Sequence, residues 1–246
     1  MKIAIAWLAT ACIALSAWAA EPDHQWQFND AGKSDTRPKM TKQNIAQGQG
    51  VDGTDGLQTG LELVNYVARF NGFKSKEVTL ELKFKPTAAQ DARRPATLLS
   101  YAVHSYYRRQ FTLYLETDGR ITAWFEIRDD KQPKQVLQSL KLTGDPANLQ
   151  VGQWQTLRVA SESGGSLRIW LNGRLYASLD KAIGFADLEG ETPNEYPFLG
   201  LGYDLYATPA QVSRPFVGVI DDVKVWKSIQ EPPVVDLSDS QGTSDT

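Results

Sequence analysis

The sequence predicts an all-β protein in which two antiparallel sheets pack face to face. Short runs in which apolar and polar residues alternate follow one another along most of the chain, and Gly, Asn, Asp or Pro residues separate them. After the first 19 residues, no apolar pattern has the period of a helix longer than a turn or two. Because a single sheet cannot bury its own apolar face, about a dozen such strands imply a β-sandwich.

The clearest strand signals lie in residues 151–176, VGQWQTLRVASESGGSLRIWLNGRLY. Apolar and polar side chains alternate there, and a Ser-Gly-Gly-Ser turn interrupts the alternation. Asn172-Gly173 is a strong hairpin signal, because a type I′ turn requires positive φ at both central residues. Three antiparallel strands are therefore predicted, at residues 154–161, 167–171 and 174–179.

Residues 110–128 predict a second hairpin, whose loop is Thr-Asp-Gly at residues 117–119. Gly119 suits the left-handed position of a three-residue loop. This register places Phe111 opposite Phe125 and collects the apolar side chains on one face. A two-residue loop would mix apolar and polar side chains on both faces, so the three-residue loop is preferred.

The remaining strands are shorter or less regular. Residues 31–55 are polar and Gly-rich, which is typical of a long surface loop. Residues 203–215 are irregular, and Pro86 ends the strand that precedes it. These further strands are predicted, in chain order, at residues 25–28, 61–70, 78–84, 96–103, 136–142, 198–201 and 216–226.

The first 19 residues have the pattern of a secretory signal peptide. Lys2 precedes a short apolar run, and Ala-Trp-Ala at residues 17–19 supplies a cleavage signal. The apolar run is too short for a membrane-spanning helix. We therefore predict a signal peptide over residues 1–19, one domain over residues 20–228, and a disordered acidic tail over residues 229–246. The protein is expected in the periplasm or the medium, without a transmembrane segment.

The amino-acid composition excludes some classes of function. Cys12 is the only cysteine and lies inside the predicted signal peptide, so the exported protein is expected to have no disulfide and no thiol chemistry. Residues 9–12 loosely resemble the cleavage motif of a lipoprotein but lack its usual Leu. The chain carries 26 basic and 29 acidic residues without a basic block, so a nucleic-acid partner is not expected.

The order of these segments resembles the laminin-G-like members of the concanavalin A-like lectin/glucanase superfamily. The resemblance covers residues 26–227 and implies a jelly roll with one flatter and one concave sheet. It implies no single function, because this fold carries lectins, adhesins, hydrolases and lyases. The matching segments are VTLELKFKP at 78–86, TLLSY at 97–101, FTLYLETDGRITAWF at 111–125, GQWQTLRVA at 152–160, LRIWLNGRL at 167–175, FLGLG at 198–202 and FVGVIDDVKVW at 216–226.

The resemblance also implies a structural calcium ion. In several branches of the superfamily, the Asp that follows Ile in the last motif binds calcium, which makes Asp221 the candidate ligand. Asp30, or the backbone after Phe28, is the candidate partner from the N-terminal segment. Carboxylate and carbonyl oxygens are the ligands that calcium prefers. The alternative is that Asp221 only accepts hydrogen bonds from the amides of neighbouring loops.

A carbohydrate site is predicted on the polar and aromatic face of the hairpin at residues 110–128. Sugars are bound by flat aromatic rings, together with carboxylate and guanidinium groups that bond their hydroxyls. The alternative is an aromatic cross-strand pair that only stabilises the sheet. The candidate ligand-binding residues are Tyr114, Trp124, Glu126, Arg128, Tyr101 and His104, with Tyr203, Asp204 and Tyr206 as further contributors.

No catalytic residue is predicted. Glu116 and Asp118 match part of the Glu-x-Asp-x-Glu signature of the superfamily's retaining glucanases, but Arg120 stands where the second Glu is required. His24 and His104 are the only histidines, too few for a histidine metal cluster. A proton-abstracting site around His104, as in some polysaccharide lyases, is the enzymatic alternative.

These observations favour an exported, non-catalytic module that binds a glycan or polysaccharide. Two alternatives stay open. One is a polysaccharide lyase or hydrolase with an atypical site on the same fold. The other is a domain that binds a protein or another component of the cell envelope.

Overall fold

Two antiparallel sheets packed face to face form the jelly-roll sandwich that the sequence predicts. The computed structural model describes residues 20–28, 44–60, 63–71, 73–103, 109–129, 131–132, 134–188, 197–204 and 214–232. The strands are β1 (His24–Trp26), β2 (Ile45–Ala46), β3 (Gly56–Thr59), β4 (Tyr66–Ala68), β5 (Glu77–Pro86), β6 (Ala96–Val103), β7 (Arg109–Leu115), β8 (Ile121–Arg128), β9 (Val136–Thr143), β10 (Gln155–Glu162), β11 (Ser166–Leu171), β12 (Arg174–Asp180), β13 (Phe198–Leu201), β14 (Arg214–Pro215) and β15 (Gly218–Trp226). Short 3-10 helices lie at Val51–Gly53 and Phe185–Leu188.

Each sheet combines strands that are consecutive in the chain with strands that are distant in it. Sheet A has the order β12-β11-β10-β5-β15-β3-β2, with β1 also pairing β15. Sheet B has the order β4-β13-β6-β7-β8-β9, with β14 pairing β6 in parallel. In sheet B the run β6-β7-β8-β9 follows chain order, so these four strands are joined by successive hairpins.

The predicted hairpin registers are confirmed. Phe111 lies opposite Phe125 and Gln110 opposite Glu126, as the three-residue loop requires. Gly119 has φ +83°, which glycine adopts without steric cost. The β11–β12 turn likewise has positive φ at both Asn172 and Gly173.

Aromatic rings fill one end of the space between the sheets. The 3-10 helix Phe185–Leu188 inserts the fully buried ring of Phe185 there. Its centroid lies 4.2 Å from that of Phe73 and 4.7 Å from that of Phe111. The Phe125 ring is 5.2 Å away, so Phe185 contacts strands of sheet B together with the chain before β5.

The two ends of the described chain meet on sheet A. The indole Nε1 of Trp226 donates to the carbonyl of Ala20 at 2.7 Å, and β1 pairs with β15. The segment after β15 then crosses the outer surface of the sheet. Thr79 Oγ1 donates to the carbonyl of Ser228 at 2.8 Å and accepts from the amide of Gln230 at 2.8 Å.

Some elements differ from the sequence prediction. Residues 44–59, predicted largely as loop, contain β2, β3 and the 3-10 helix Val51–Gly53. These strands are only two and four residues long, too short to show an alternating pattern. Residues 229–232, assigned to the tail, belong to the segment that lies on sheet A.

Several predictions concern residues outside the described ranges. These are the signal peptide at residues 1–19, the candidate ligands Asp30 and His104, Tyr206, and the tail beyond residue 232. Within the described ranges, no helix is long and apolar enough to cross a membrane.

Replacing Phe185 with Ala is expected to lower the free energy of unfolding by about 3–5 kcal/mol, because it leaves a cavity among buried rings. Urea unfolding followed by circular dichroism measures this change. The control is Leu175→Ala, because the Leu175 side chain is 58% exposed and its loss is expected to change stability by about 0.5 kcal/mol at most. Equal effects of the two substitutions would contradict the assigned role of Phe185.

Candidate functional site

The outer face of sheet B carries most of the residues predicted to bind a ligand. Successive side chains of β7 and β8 point to opposite faces of sheet B. Phe111, Leu113 and Phe125 therefore enter the core, while their chain neighbours point away from it. We call the surface formed by the outward side chains of sheet B the outer face. On β7 and β8 its members are Gln110, Thr112, Tyr114, Thr122, Trp124, Glu126 and Arg128.

An aromatic pair lies on the outer face. The rings of Tyr114 and Trp124 stack with centroids 6.1 Å apart and an interplanar angle of 28°. Trp124 is partly exposed, and its Nε1 donates to Ser139 Oγ at 3.0 Å. The ammonium group of Lys141 lies 4.9 Å from the centre of the Trp124 ring. The indole is therefore held by polar contacts on β9 and retains an accessible part.

Two residues further along β8, a carboxylate and a guanidinium group are paired. Arg128 Nε donates to Glu126 Oε1 at 2.6 Å. The side chain of Glu126 is 7% exposed and that of Arg128 is 24% exposed. Carboxylate and guanidinium groups are both kinds of group that bond hydroxyls.

The chain after β13 folds back over the outer face. Ser100 Oγ donates to the carbonyl of Tyr203 at 2.7 Å, and the hydroxyl of Tyr114 donates to Asp204 Oδ2 at 3.4 Å. Burial and the nearby charge of Asp204 raise the pKa of Tyr114 above its ordinary value. Tyr203 and Asp204, predicted as contributors, therefore do reach this surface.

The outer face buries several polar side chains. Both atoms of the Gln110 amide, Oε1 and Nε2, lack a hydrogen-bond partner within the described part of the chain. Thr112 Oγ1 on the same face also lacks a partner there, although buried polar atoms are nearly always paired in folded proteins. The polar side chains less than 9% exposed at this face are Thr97, Ser100, Gln110, Thr112, Tyr114, Thr122, Glu126 and Asp204.

Tyr101 is not brought to the outer face. It lies opposite Phe111 on the neighbouring strand and therefore points into the core, where it is 1% exposed. Its ring centroid is 4.7 Å from that of Phe73. All eight residues of β6 are buried, so the strand offers no apolar-polar alternation from which the direction of Tyr101 can be read.

Two aromatic residues that no local sequence pattern assigns to the site lie on the outer face. Phe198 of β13 lies opposite Ala102, and Tyr66 of β4 lies opposite Gly200. Their ring centroids are 6.3 Å apart, and both side chains are partly exposed. Small residues on β6 and β13 separate this pair from Tyr114 and Trp124. Only the long-range pairing of β13 with β4 and β6 brings these aromatic residues together.

The two consecutive aspartates of β15 have different surroundings. Asp221 accepts hydrogen bonds from the amide of Val51 at 2.9 Å and from the amide of Asp222 at 2.7 Å. Burial raises the pKa of Asp221, although these two hydrogen bonds oppose the rise. The contacts of Asp221 are those expected if it only accepts hydrogen bonds from loop amides.

Asp222 lies in a bulge with φ +48° and is bound by cations. Lys224 Nζ is 2.7 Å and Lys83 Nζ is 3.1 Å from its Oδ2, and Gln25 Nε2 donates to its Oδ1 at 2.9 Å. Burial acts to raise the pKa of Asp222, but these partners outweigh it and hold the pKa below its ordinary value.

Charged side chains near Asp221 and Asp222 lie where calcium binding is predicted. The ammonium groups of Lys83 and Lys224 contact Asp222 Oδ2 and so bring positive charge next to Asp221. Among the described residues, no group of three His, Cys, Asp or Glu side chains is arranged to hold a metal ion. Calcium binding at Asp221 stays a prediction.

The glucanase-like Glu116 and Asp118 lie at the tip of the β7–β8 hairpin. The amide of Gly119 donates to the carbonyl of Glu116 at 3.0 Å, and Arg120 Nε donates to Asp118 Oδ2 at 2.7 Å. This segment is a closed turn, as the sequence predicts from Gly119.

Several solved structures share the fold of this chain. The chain is 18% identical to the sialidase CBM40 of Ruminococcus gnavus bound to alpha2,3 sialyllactose, over 78% of this chain and 94% of that one, with a TM-score of 0.50. The LG1-3 region of the laminin alpha2 chain is 14% identical over 71% of this chain and 31% of that one, also with a TM-score of 0.50. The receptor binding domain of botulinum neurotoxin mosaic serotype C/D is 10% identical, over 86% and 48% of the respective chains, with a TM-score of 0.58.

No curated protein matches the chain in sequence. A laminin G family model, described as concanavalin A-like lectin/glucanases superfamily, matches residues 53–233. The match spans most of the described sandwich, from the chain before β3 to the segment after β15. The chain therefore belongs to the concanavalin A-like lectin/glucanase superfamily.

Proposed function

We propose that this protein is an exported, non-catalytic module that binds a glycan through the outer face of sheet B. The observation that carries the proposal is the combination of a partly exposed Trp124 with buried polar side chains around it. A face that served only to stabilise the sheet would not need buried polar groups, since each costs free energy unless it is paired.

The chemistry of this face suits a sugar. Sugar rings have apolar C–H faces that stack on aromatic rings, and hydroxyls that bond planar charged groups. Trp124 supplies the ring, and the Glu126–Arg128 pair supplies both a carboxylate and a guanidinium group two residues away. Ser139 and Lys141 on β9 are exposed and extend the polar surface beyond Trp124.

One solved structure with the same fold supports this proposal. The sialidase CBM40 with the same fold is bound to sialyllactose, so the fold is able to present a sugar site. Export rests on the signal-peptide pattern of residues 1–19. The non-catalytic assignment rests on the incomplete carboxylate motif at Glu116 and Asp118, where Arg120 replaces the second Glu.

Trp124→Ala is expected to weaken glycan binding about tenfold or more, because it removes the stacking surface. Binding of the purified chain to a glycan array, followed by calorimetry with the best ligand, measures the effect. The matched control is Trp154→Ala. Trp154 is also partly exposed and has a lysine ammonium group, that of Lys85, 4.8 Å from its ring centre, but it precedes a strand of sheet A.

Equal losses in Trp124→Ala and Trp154→Ala would contradict a site on the outer face. Release of products from a bound polysaccharide would contradict the non-catalytic assignment and favour the lyase or hydrolase alternative. Binding to cell-envelope proteins without binding to any glycan would favour the interaction-domain alternative.

We also retain the calcium site as a proposal, with Asp221 as the ligand that the superfamily resemblance implies. If calcium binds there, adding it to chelator-treated protein raises the melting temperature, and Asp221→Ala abolishes that rise. Differential scanning calorimetry measures both. Asp187→Ala is the control, because Asp187 accepts a hydrogen bond from the amide of Gly184 at 2.7 Å, away from β15. A melting temperature of the unmodified protein that is insensitive to calcium would rule the site out.

A further inference from the structure

A cavity opens where the connection between β9 and β10 meets the hairpin of β11 and β12. Residues 145–149, Gln155 and most residues of 171–176 line it. Its volume is about 600 Å³, within the range of about 300–1,000 Å³ that is typical of small-ligand sites. We call it the end cavity, because connections and strand ends surround it. No residue of β7 or β8 lines it, so the end cavity is separate from the outer face of those strands.

Gln155 brings a polar side chain to the inner side of the end cavity. It is the first residue of β10 and alternates with the core residues Leu157 and Val159, so it shares their inward direction. The Gln155 side chain is held where the apolar core ends, because the residue is only 7% exposed and still lines the cavity.

The hydrogen bonds of Asn172 determine which atom of the Gln155 amide is left for a ligand. The backbone amide of Thr156 donates to Asn172 Oδ1 at 2.9 Å, so Nδ2 is the donor end of Asn172. Asn172 Nδ2 in turn donates to Gln155 Oε1 at 2.7 Å. Gln155 Nε2 then has no partner among the described residues, and unlike the amide of Gln110 it is not enclosed within the protein. Gln155 therefore offers the end cavity a hydrogen-bond donor of fixed orientation.

Tyr176 lines the end cavity with an aromatic ring that is held in place. Its hydroxyl donates to the carbonyl of Asp145 and accepts from the amide of Ile121 at 3.0 Å. These bonds join β12 of sheet A to β8 of sheet B, and they leave the ring for apolar contacts. Gly144 permits this arrangement, because a Cβ atom at that position would collide with the Tyr176 ring.

The charges around the end cavity balance. Among the described residues that line it, Asp145 is acidic and Arg174 is basic, and both are exposed. Arg174 lies opposite Leu171, which packs against the core, so both side chains are on the inward face of sheet A. Because one carboxylate and one guanidinium group cancel in net charge, the end cavity favours neither an anion nor a cation. Leu171 and Leu149 add apolar surface.

We propose that the end cavity is a second ligand site, that it binds a neutral sugar residue, and that Gln155 Nε2 donates to a hydroxyl of that sugar. Hydroxyls both donate and accept, so a sugar can pair with the amide, carboxylate and guanidinium groups of one lining. The C–H face of the sugar suits the apolar surface of Tyr176 and Leu149. The site is separate from the outer face, so this inference goes beyond the proposed function and does not depend on it.

A free α-amino acid also has balanced charges, but its chemistry matches the lining less well. Both of its charged groups lie on one carbon atom, whereas Asp145 and Arg174 belong to different segments of the chain. It also has fewer uncharged polar groups than a sugar for the amides of Gln155 and Asn148.

The test titrates the purified chain with the methyl glycosides of glucose, galactose and mannose while NMR follows the side-chain amide of Gln155. The spectrum of Gln155→Leu identifies that signal by its absence. We expect at least one of these sugars to shift the signal, and glucuronic acid and glucosamine to bind no more tightly than their neutral counterparts. No shift with any neutral sugar overturns the inference and leaves the outer-face site untouched. A shift with leucine as a free amino acid but with no sugar also overturns it.

Two substitutions assign the binding to the end cavity. Gln155→Leu is expected to weaken binding of that sugar about tenfold, because a hydroxyl loses its donor. Arg174→Ala is expected to weaken it by a similar factor, and because Arg174 is exposed this variant is expected to fold normally. Ligand-observed NMR measures both affinities. The matched controls are Gln153→Leu and Arg93→Ala, because both residues are exposed and neither lines the cavity.

Trp124→Ala separates this inference from the proposed function. It is expected to leave the shift of the Gln155 signal unchanged, because Trp124 does not line the end cavity. Folded Gln155→Leu and Arg174→Ala variants that keep the affinity of the unmodified protein overturn the inference. Sugar binding that responds to these two substitutions but not to Trp124→Ala supports the end cavity and contradicts the site on the outer face.

Discussion

The register of the β7–β8 hairpin determines which side chains of sheet B are available to a ligand. Side chains alternate along a strand, so a shift of one residue would exchange the two faces. The loop through Gly119 sets Phe111 opposite Phe125, and the same pairing sets Gln110 opposite Glu126. The core and the outer face therefore depend on one turn, because a shift that exposed the phenylalanines would also bury the charged pair.

This dependence explains which features the sequence could predict. The β7–β8 and β10–β11–β12 hairpins are local, and their turn residues and alternation specify register without the rest of the chain. Trp124, Tyr114, Glu126 and Arg128 were identified because they alternate with core residues of the same hairpin. The register of this hairpin alone determines that these four side chains point away from the core.

The features that the sequence did not reveal depend on pairing between distant segments. Tyr101 lies on a strand that is buried on both faces, so its direction is set only by the pairing of β6 with β7. Phe198 and Tyr66 belong to strands far apart in the chain, and their proximity arises from the β13–β4 pair. The amide that Asp221 bonds comes from Val51, 170 residues earlier. No local pattern encodes such contacts, whereas the laminin-G-like order of segments predicts the architecture that permits them.

The two outer surfaces of the sandwich differ in how their polar groups are satisfied. On sheet A, Glu81 accepts from Arg158 Nε at 2.8 Å, and Lys224 and Lys83 neutralise Asp222. The C-terminal segment adds hydrogen bonds to Thr79, so the charges in this part of sheet A are matched within the chain. On sheet B, Gln110 is equally removed from water but has no partner among the described residues.

Burying an unpaired amide costs about 1–3 kcal/mol per group, a substantial fraction of the stability of a typical domain. An unpaired buried amide is tolerated most readily where a bound molecule forms the missing hydrogen bonds. A site of this kind also rejects molecules that cannot form those hydrogen bonds. The Gln110 amide therefore lowers the stability of the protein, a cost that Glu81 and Asp222 on sheet A avoid through their cationic partners.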